Sequence, residues 1–91
     1  MNYRINKKIF YRFEPNLEDE GILIIFNIET DDLFELSKPY YEFLQCIEKG
    51  YNEFKQKNYF REYYPEISKE ELDLSLTEIR KTLLEMGVIY G

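Results

Sequence analysis

Apolar residues between positions 7 and 36 follow the composition and spacing of β-strands. The run ILIIF at 22–26 is almost unbroken, the polar tetrad ETDD at 29–32 supplies turn formers, and LFEL follows at 33–36. An earlier stretch, KKIFYRFE at 7–14, is rich in β-forming residues. The pattern predicts three strands, over residues 7–14, 22–29 and 33–36, and joins the last two in a hairpin.

Beyond residue 36 the apolar spacing changes to that of helices. Ser37 is a good N-cap residue, and Pro39 stands in the first turn, where its missing N–H costs nothing. These signals predict a first helix over residues 38–49, which Gly50 stops. A second helix, rich in aromatic residues, is predicted over residues 52–64.

The third predicted helix is the longest. Ser68 and Glu71 stand three residues apart and form a capping box at its start, and Gly87 stops it. Its apolar residues make one stripe over four turns, and they are Leu72, Leu76, Ile79, Leu83 and Met86. The residues VIY at 88–90 are predicted to form a short extended segment.

Three strands followed by three helices predict an α+β fold, with the helices packed on one face of a small antiparallel sheet. A hairpin by itself is only marginally stable, so the helices are expected to cover it. A chain of 91 residues supports one small core. We therefore predict a single domain over residues 1–91.

The chain lacks the residue patterns of catalytic and metal sites. It has no histidine, which is the commonest general base and metal ligand. Cys46 lies among apolar positions of the first helix, which favours a buried structural thiol over a nucleophile. The acidic clusters at 18–20 and 31–32 lack the spacing of a calcium loop. We predict no catalytic residue, no metal, no cofactor and no enzymatic activity of this chain by itself.

Charge is negative overall and unevenly distributed. The formal net charge is −6, which opposes a nucleic-acid partner because Lys and Arg supply most of that affinity. Residues 1–13 carry basic side chains and no acid, whereas residues 14–37 carry acids and no base. The acidic segment either pairs internally and aids solubility, or selects the charge of a partner.

Cysteine content and hydropathy predict a cytoplasmic protein. The single cysteine excludes an internal disulfide and favours a reducing compartment. The N-terminal residues lack the apolar centre of a signal peptide, and no apolar run approaches the roughly 20 residues that span a bilayer. We expect no membrane partner.

Two surfaces remain as candidates for binding once the core is assigned. The third strand is an edge of the sheet, which is either protected by its acidic side chains or open to an added peptide strand. The third helix has a side opposite its apolar stripe, which either is ordinary surface, packs under the second helix or lines a groove. That side carries Leu74, Thr77, Lys81 and Leu84.

The succession ILIIFNIETDDLFELSKPYYEFLQCIEKG, an aromatic helix and SKEELDLSLTEIRKTLLEMGVI resembles the PqqD-like family of peptide-recognition elements. The shared pattern is a hairpin that enters a helix, a glycine that ends it, and a final amphipathic helix closing on LLEMGVI. The family commonly places Thr or Ser shortly after that glycine to cap the second helix, and Asn52 can serve here. The resemblance covers about residues 22–89.

The resemblance implies a winged helix-turn-helix-like domain that no longer binds nucleic acid. It would capture the leader of a ribosomally synthesised precursor peptide as a strand added to the third strand. A separate modifying enzyme, such as a radical SAM protein or a leader peptidase, would then act on the bound peptide. The implied peptide-binding residues are Asp32, Leu33, Phe34, Glu35 and Leu36 on the strand, with Leu74, Thr77, Lys81 and Leu84 on the third helix.

Two other functions fit the same pattern of elements. One is a structural subunit that stabilises a partner enzyme, because it also needs an exposed edge or groove. The other is a winged-helix DNA-binding regulator, which the net charge and the acids of the third helix oppose. The chain is expected to be a monomer or a weak homodimer, since an exposed edge strand also pairs with its own copy.

Overall fold

The computed structural model describes residues 2–91 and contains one main sheet and three helices. The strands are β1 (Arg4–Ile5), β2 (Ile9–Glu14), β3 (Ile22–Asn27), β4 (Asp32–Ser37) and β5 (Ile89–Tyr90). Strands β2, β3 and β4 form an antiparallel sheet in that order. The predicted α+β fold, with three antiparallel strands before three helices, is confirmed.

The helices are α1 (Lys38–Glu48), α2 (Glu53–Tyr63) and α3 (Lys69–Glu85). Two of the caps expected from the sequence form as hydrogen bonds. The side chain of Asn52 accepts from the backbone N–H of Lys55 at the start of α2, and Ser68 accepts from Glu71 at the start of α3. These bonds fix where α2 and α3 begin, whereas the side chain of Ser37, the N-cap residue of α1, makes no capping hydrogen bond.

The hairpin between β3 and β4 turns one residue earlier than predicted. Its loop is formed by residues 28–31, because Asn27 ends β3 and its side-chain oxygen accepts from the N–H groups of Glu29 and Thr30. Asp31 closes the loop with a φ of 62°, a left-handed conformation that aspartate tolerates better than most residues. This loop fixes the register of β4 against β3.

A second, two-stranded sheet joins the chain's first and last described segments. Strand β1 pairs with β5, with Arg4 opposite Tyr90 and Ile5 opposite Ile89. The sequence predicted an extended segment at 88–90 but not its partner, because a two-residue strand carries no readable alternation. This pairing holds β5 beside the C-terminal end of α3.

The core lies between the sheet and the three helices. Helix α1 contacts β3 and β4, and α3 packs on α1 and α2. The fully buried side chains come from every layer, and they include Leu23, Ile25, Phe43, Leu44, Leu76 and Leu83. Within residues 2–91, no helix has both the length and the apolar character needed to cross a membrane.

Candidate functional site

Strand β4 is an edge of the main sheet. It pairs along its whole length with β3, from Asn27 opposite Asp32 to Ile22 opposite Ser37. In the part of the chain that the structure describes, no strand pairs with its other side. The edge strand predicted from the sequence is therefore present and open to an added strand.

The hydrogen bonds of the sheet show which residues of β4 direct their backbone groups outward. Just beyond β3, the N–H of Ile28 donates to the carbonyl of Lys8, at 3.0 Å. Pairs alternate along an antiparallel ladder, so Asn27, Ile25 and Leu23 bond to β4 instead. Their partners are Asp32, Phe34 and Leu36. It follows that Leu33 and Glu35 direct N–H and C=O to the free edge.

The pleat divides the side chains of β4 between the two faces of the sheet. Phe34 and Leu36 lie on the face that the helices cover, opposite Ile25 and Leu23, and both are half-buried. Leu33 lies on the outer face and is 62% exposed. The residue that points toward the helices is therefore Phe34, a choice that the sequence left open.

An apolar cleft of about 90 Å³ opens near the end of β4. Its volume suits one aliphatic side chain, and it is well below the size of a typical small-molecule site. It begins at Pro39, two residues beyond β4, and continues between α2 and α3. The other lining residues are Phe60, Tyr64, Ile67, Leu72, Ser75, Leu76 and Ile79.

The α3 residues predicted to contact a peptide lie on the solvent-facing side of that helix. Leu74 is 72% exposed, Leu84 is 41% exposed, and Thr77 and Lys81 are also exposed. The cleft is lined instead by the neighbouring side of α3, which carries Ser75 and Ile79. The structure thus brings the predicted β4 residues to one edge, while contact of Leu74, Thr77, Lys81 and Leu84 with a peptide stays a prediction.

The acids around the β3–β4 hairpin are available to a partner. Over residues 2–91 the ion pairs join Arg12 to Glu14 and Lys57 to Asp73. Neither pair uses an acid of the segment 29–35, which contains Glu29, Asp31, Asp32 and Glu35. The edge of β4 therefore carries a local negative charge.

A buried carboxylate that the sequence did not reveal joins α1 to α2. Glu42 is only 6% exposed. The hydroxyl of Tyr64 donates to its Oε1, and the hydroxyl of Tyr59 lies 3.4 Å from its Oε2. Glutamate is seldom buried, and no residue pattern around Glu42 marks it as an exception. Its tyrosine partners lie in a different helical segment, and no local sequence pattern indicates this contact.

These contacts predict a loss of stability in strong alkali. Burial, and then the nearby charge of Glu42, raises the pKa of Tyr59 from 10.0 to about 12, and burial and the bond to Glu42 raise the pKa of Tyr64 further. The stabilisation from Tyr59 and Tyr64 is therefore complete below pH 10, where these tyrosines are also neutral in the unfolded chain. It is lost as the pH rises through about 12.

Urea unfolding between pH 8 and pH 12 measures this effect, with Tyr64→Phe as the comparison. Removal of the hydroxyl is expected to cost about 1–3 kcal/mol at pH 8, because a bond to a buried carboxylate is lost. The difference in the free energy of unfolding between the wild type and Tyr64→Phe should narrow above pH 10. A gap that stays constant up to pH 12 would show that Tyr64 does not titrate in the way described.

Cys46 is buried, as predicted, and its thiol has low reactivity. It is 1% exposed on α1, and burial raises the pKa of its thiol from 9.0 to about 11. Thiolate is the reactive form, so this burial lowers reactivity at neutral pH. Across residues 2–91, the His, Cys, Asp and Glu side chains form no group of three that could hold a metal ion.

Comparison of the chain with protein-family profiles, characterised proteins and solved structures finds no match. The resemblance to the PqqD-like family therefore stays a prediction, and the free edge of β4 with its neighbouring cleft is the observation from which function is argued.

Proposed function

We propose that this protein is a non-catalytic binding module that captures the leader of a ribosomally synthesised precursor peptide as a strand added to β4. The observation that carries the proposal is the free edge of β4, where Leu33 and Glu35 offer backbone N–H and C=O groups. An extended peptide satisfies these groups whatever its sequence. The backbone bonds thus provide affinity that many peptides can use.

Selectivity comes from the surfaces on either side of the added strand. Alternate side chains of a guest strand point toward the helices, on the side of Phe34 and Leu36. The apolar cleft that begins at Pro39 offers room for one such side chain near the end of β4. A leader with an aliphatic residue at the matching position is favoured.

The charge of the β4 edge also favours particular leader peptides. The segment from Glu29 to Glu35 is acidic, and its acids lie outside the ion pairs of residues 2–91. A leader that carries Lys or Arg beside its apolar residue would associate faster and in the correct register. The expected salt dependence is a weaker complex at high ionic strength.

The bound leader is presented to a separate modifying enzyme, such as a radical SAM protein or a leader peptidase, in the cytoplasm. Tethering raises the effective concentration of the attached core peptide at that enzyme. A winged helix-turn-helix-like fold for the domain is also part of this proposal. A DNA-binding role is opposed by the net charge of −6 and by the acids of α3, including Glu70, Glu71 and Glu78.

Isothermal titration calorimetry with the purified chain tests this function. The ligand is the leader segment of a short peptide encoded beside the gene, with a scrambled leader of equal composition as the control. We expect micromolar or tighter binding of the leader without any enzyme present. If the leader binds only when the neighbouring enzyme is added, or no better than the scrambled peptide, the chain is better described as a structural subunit.

A further inference from the structure

The outer face of the main sheet, opposite the helices, carries a connected apolar surface beside the charged residues Arg12, Glu14 and Glu35. Alternate residues of each strand point to this face, and Phe10, Phe26 and Leu33 form one continuous row across the three strands. Ile24 and Ile22 continue the apolar surface along β3. Phe10 is 61% exposed, as Leu33 is 62% exposed, and the described residues place no helix over this face. A connected, exposed apolar surface of this kind is available to a partner.

The row beside the aromatic one carries opposite charges at its two ends. Ile24 stands in the centre, with Arg12 opposite it on β2 and Glu35 opposite it on β4. This row of the outer face therefore ends in a base on β2 and an acid on β4, and Arg12 also pairs with Glu14 on its own strand. The pattern is complementary to itself under one particular rotation.

We propose that this face binds a second copy of the chain, with a two-fold axis that runs along β3 between the two sheets. A half-turn about β3 places β2 of one copy over β4 of the other and keeps every row at its own height. Arg12 then faces Glu35 of the second copy, and Phe10 faces Leu33. Stacked sheets lie roughly 10 Å apart, a distance that these side chains span.

The other in-plane axis does not satisfy the charges and the aromatic row together. A half-turn about a line perpendicular to the strands would place β2 over β2 and β4 over β4. If that line crosses the row of Ile24, Arg12 would meet Arg12 and Glu35 would meet Glu35. If it crosses one residue further along β2, Arg12 would meet Glu14 of the second copy, but the row of Phe10, Phe26 and Leu33 would be left uncovered. Like charges at a desolvated interface cost affinity, so the axis along β3 is favoured.

The dimer is expected to be weak. Three strands about 4.8 Å apart and six residues long cover roughly 14 by 20 Å, or on the order of 300 Å² per copy. This is below the area of a stable standard interface, so we expect a dissociation constant of tens to hundreds of micromolar. The free edge of β4 in each copy remains open in this arrangement. The dimer does not depend on the proposed peptide binding.

Sedimentation equilibrium from about 10 µM to 1 mM, with paired charge reversals, tests the proposal. Arg12→Glu and Glu35→Arg should each weaken self-association at least about tenfold, because each variant opposes like charges. A one-to-one mixture of the two should restore association, since each reversed residue meets an opposite charge in the mixed dimer. Circular dichroism confirms that both variants are folded.

The matched apolar control compares Phe10→Ser with Phe54→Ser. Both side chains are exposed aromatics, and Phe54 is 71% exposed on α2, away from the sheet. Phe10→Ser should abolish association and Phe54→Ser should preserve it. A wild-type protein that is monomeric at 1 mM would overturn the proposal. So would charge variants that still associate, a mixture that stays monomeric, or dependence on Phe54 instead of Phe10.

Discussion

Replacement of Phe43 by alanine is expected to lower the free energy of unfolding by about 3–5 kcal/mol, through lost burial and the cavity left behind. Phe43 is a fully buried side chain of α1 and among the largest in the core. The guanidinium of Arg80 on α3 lies 5.9 Å from its ring centre. A domain of this length has a total stability of roughly 5–14 kcal/mol, so the variant loses a large part of it.

Urea denaturation followed by circular dichroism measures this difference, with Phe54→Ala as the matched control. Phe54 is an exposed phenylalanine on α2, and its removal should change the free energy of unfolding by less than about 0.5 kcal/mol. Equal effects at the two positions would contradict the packing of α1 between the sheet and α3.

Glu35→Pro is expected to weaken leader binding at least about tenfold while leaving the domain folded. The N–H of Glu35 points to the free edge of β4, so proline removes a donor that a guest strand needs, and its ring also blocks close approach. The ladder to β3 is kept, because Phe34 and Leu36 supply its bonds. Proline is tolerated in edge strands at such outward positions.

Glu35→Thr separates this backbone effect from the loss of the Glu35 charge. It removes the same carboxylate but keeps the N–H, and threonine suits a strand. We expect Glu35→Thr to bind the leader within about threefold of the wild type, apart from any change in salt dependence. If Glu35→Pro binds as tightly as Glu35→Thr, the leader does not pair with β4. Titrations at about 10 µM protein keep self-association low.

Most of the main fold was predictable because its signals are local. The apolar run at 22–26 and the helix caps at Asn52 and Ser68 are short-range patterns that tertiary contacts only reinforce. The strands β1 and β5 were missed as a pair because their contact joins residues more than 80 positions apart. No local pattern in two residues indicates such a partner.

The candidate site was predictable only in part for a similar reason. That residues 32–36 form an edge followed from the order of the strands. Whether Leu33 or Phe34 faces the helices depends on register, which the loop at Asn27 and Asp31 fixes. The cleft is lined by both Pro39 and Ile79 of α3, and the buried Glu42 bonds to tyrosines from the α2 segment. Contacts between distant elements of this kind are absent from any local pattern.

Amide hydrogen exchange, resolved by NMR with and without the leader peptide, tests strand addition to β4 most directly. In the free protein we expect fast exchange at Leu33 and Glu35, and slow exchange at Phe34 and Leu36, which already bond to β3. Saturation with the leader should slow exchange at Leu33 and Glu35 to the level of their neighbours. If these two amides still exchange rapidly in a saturated complex, no strand has been added to this edge and the proposed binding mode is wrong.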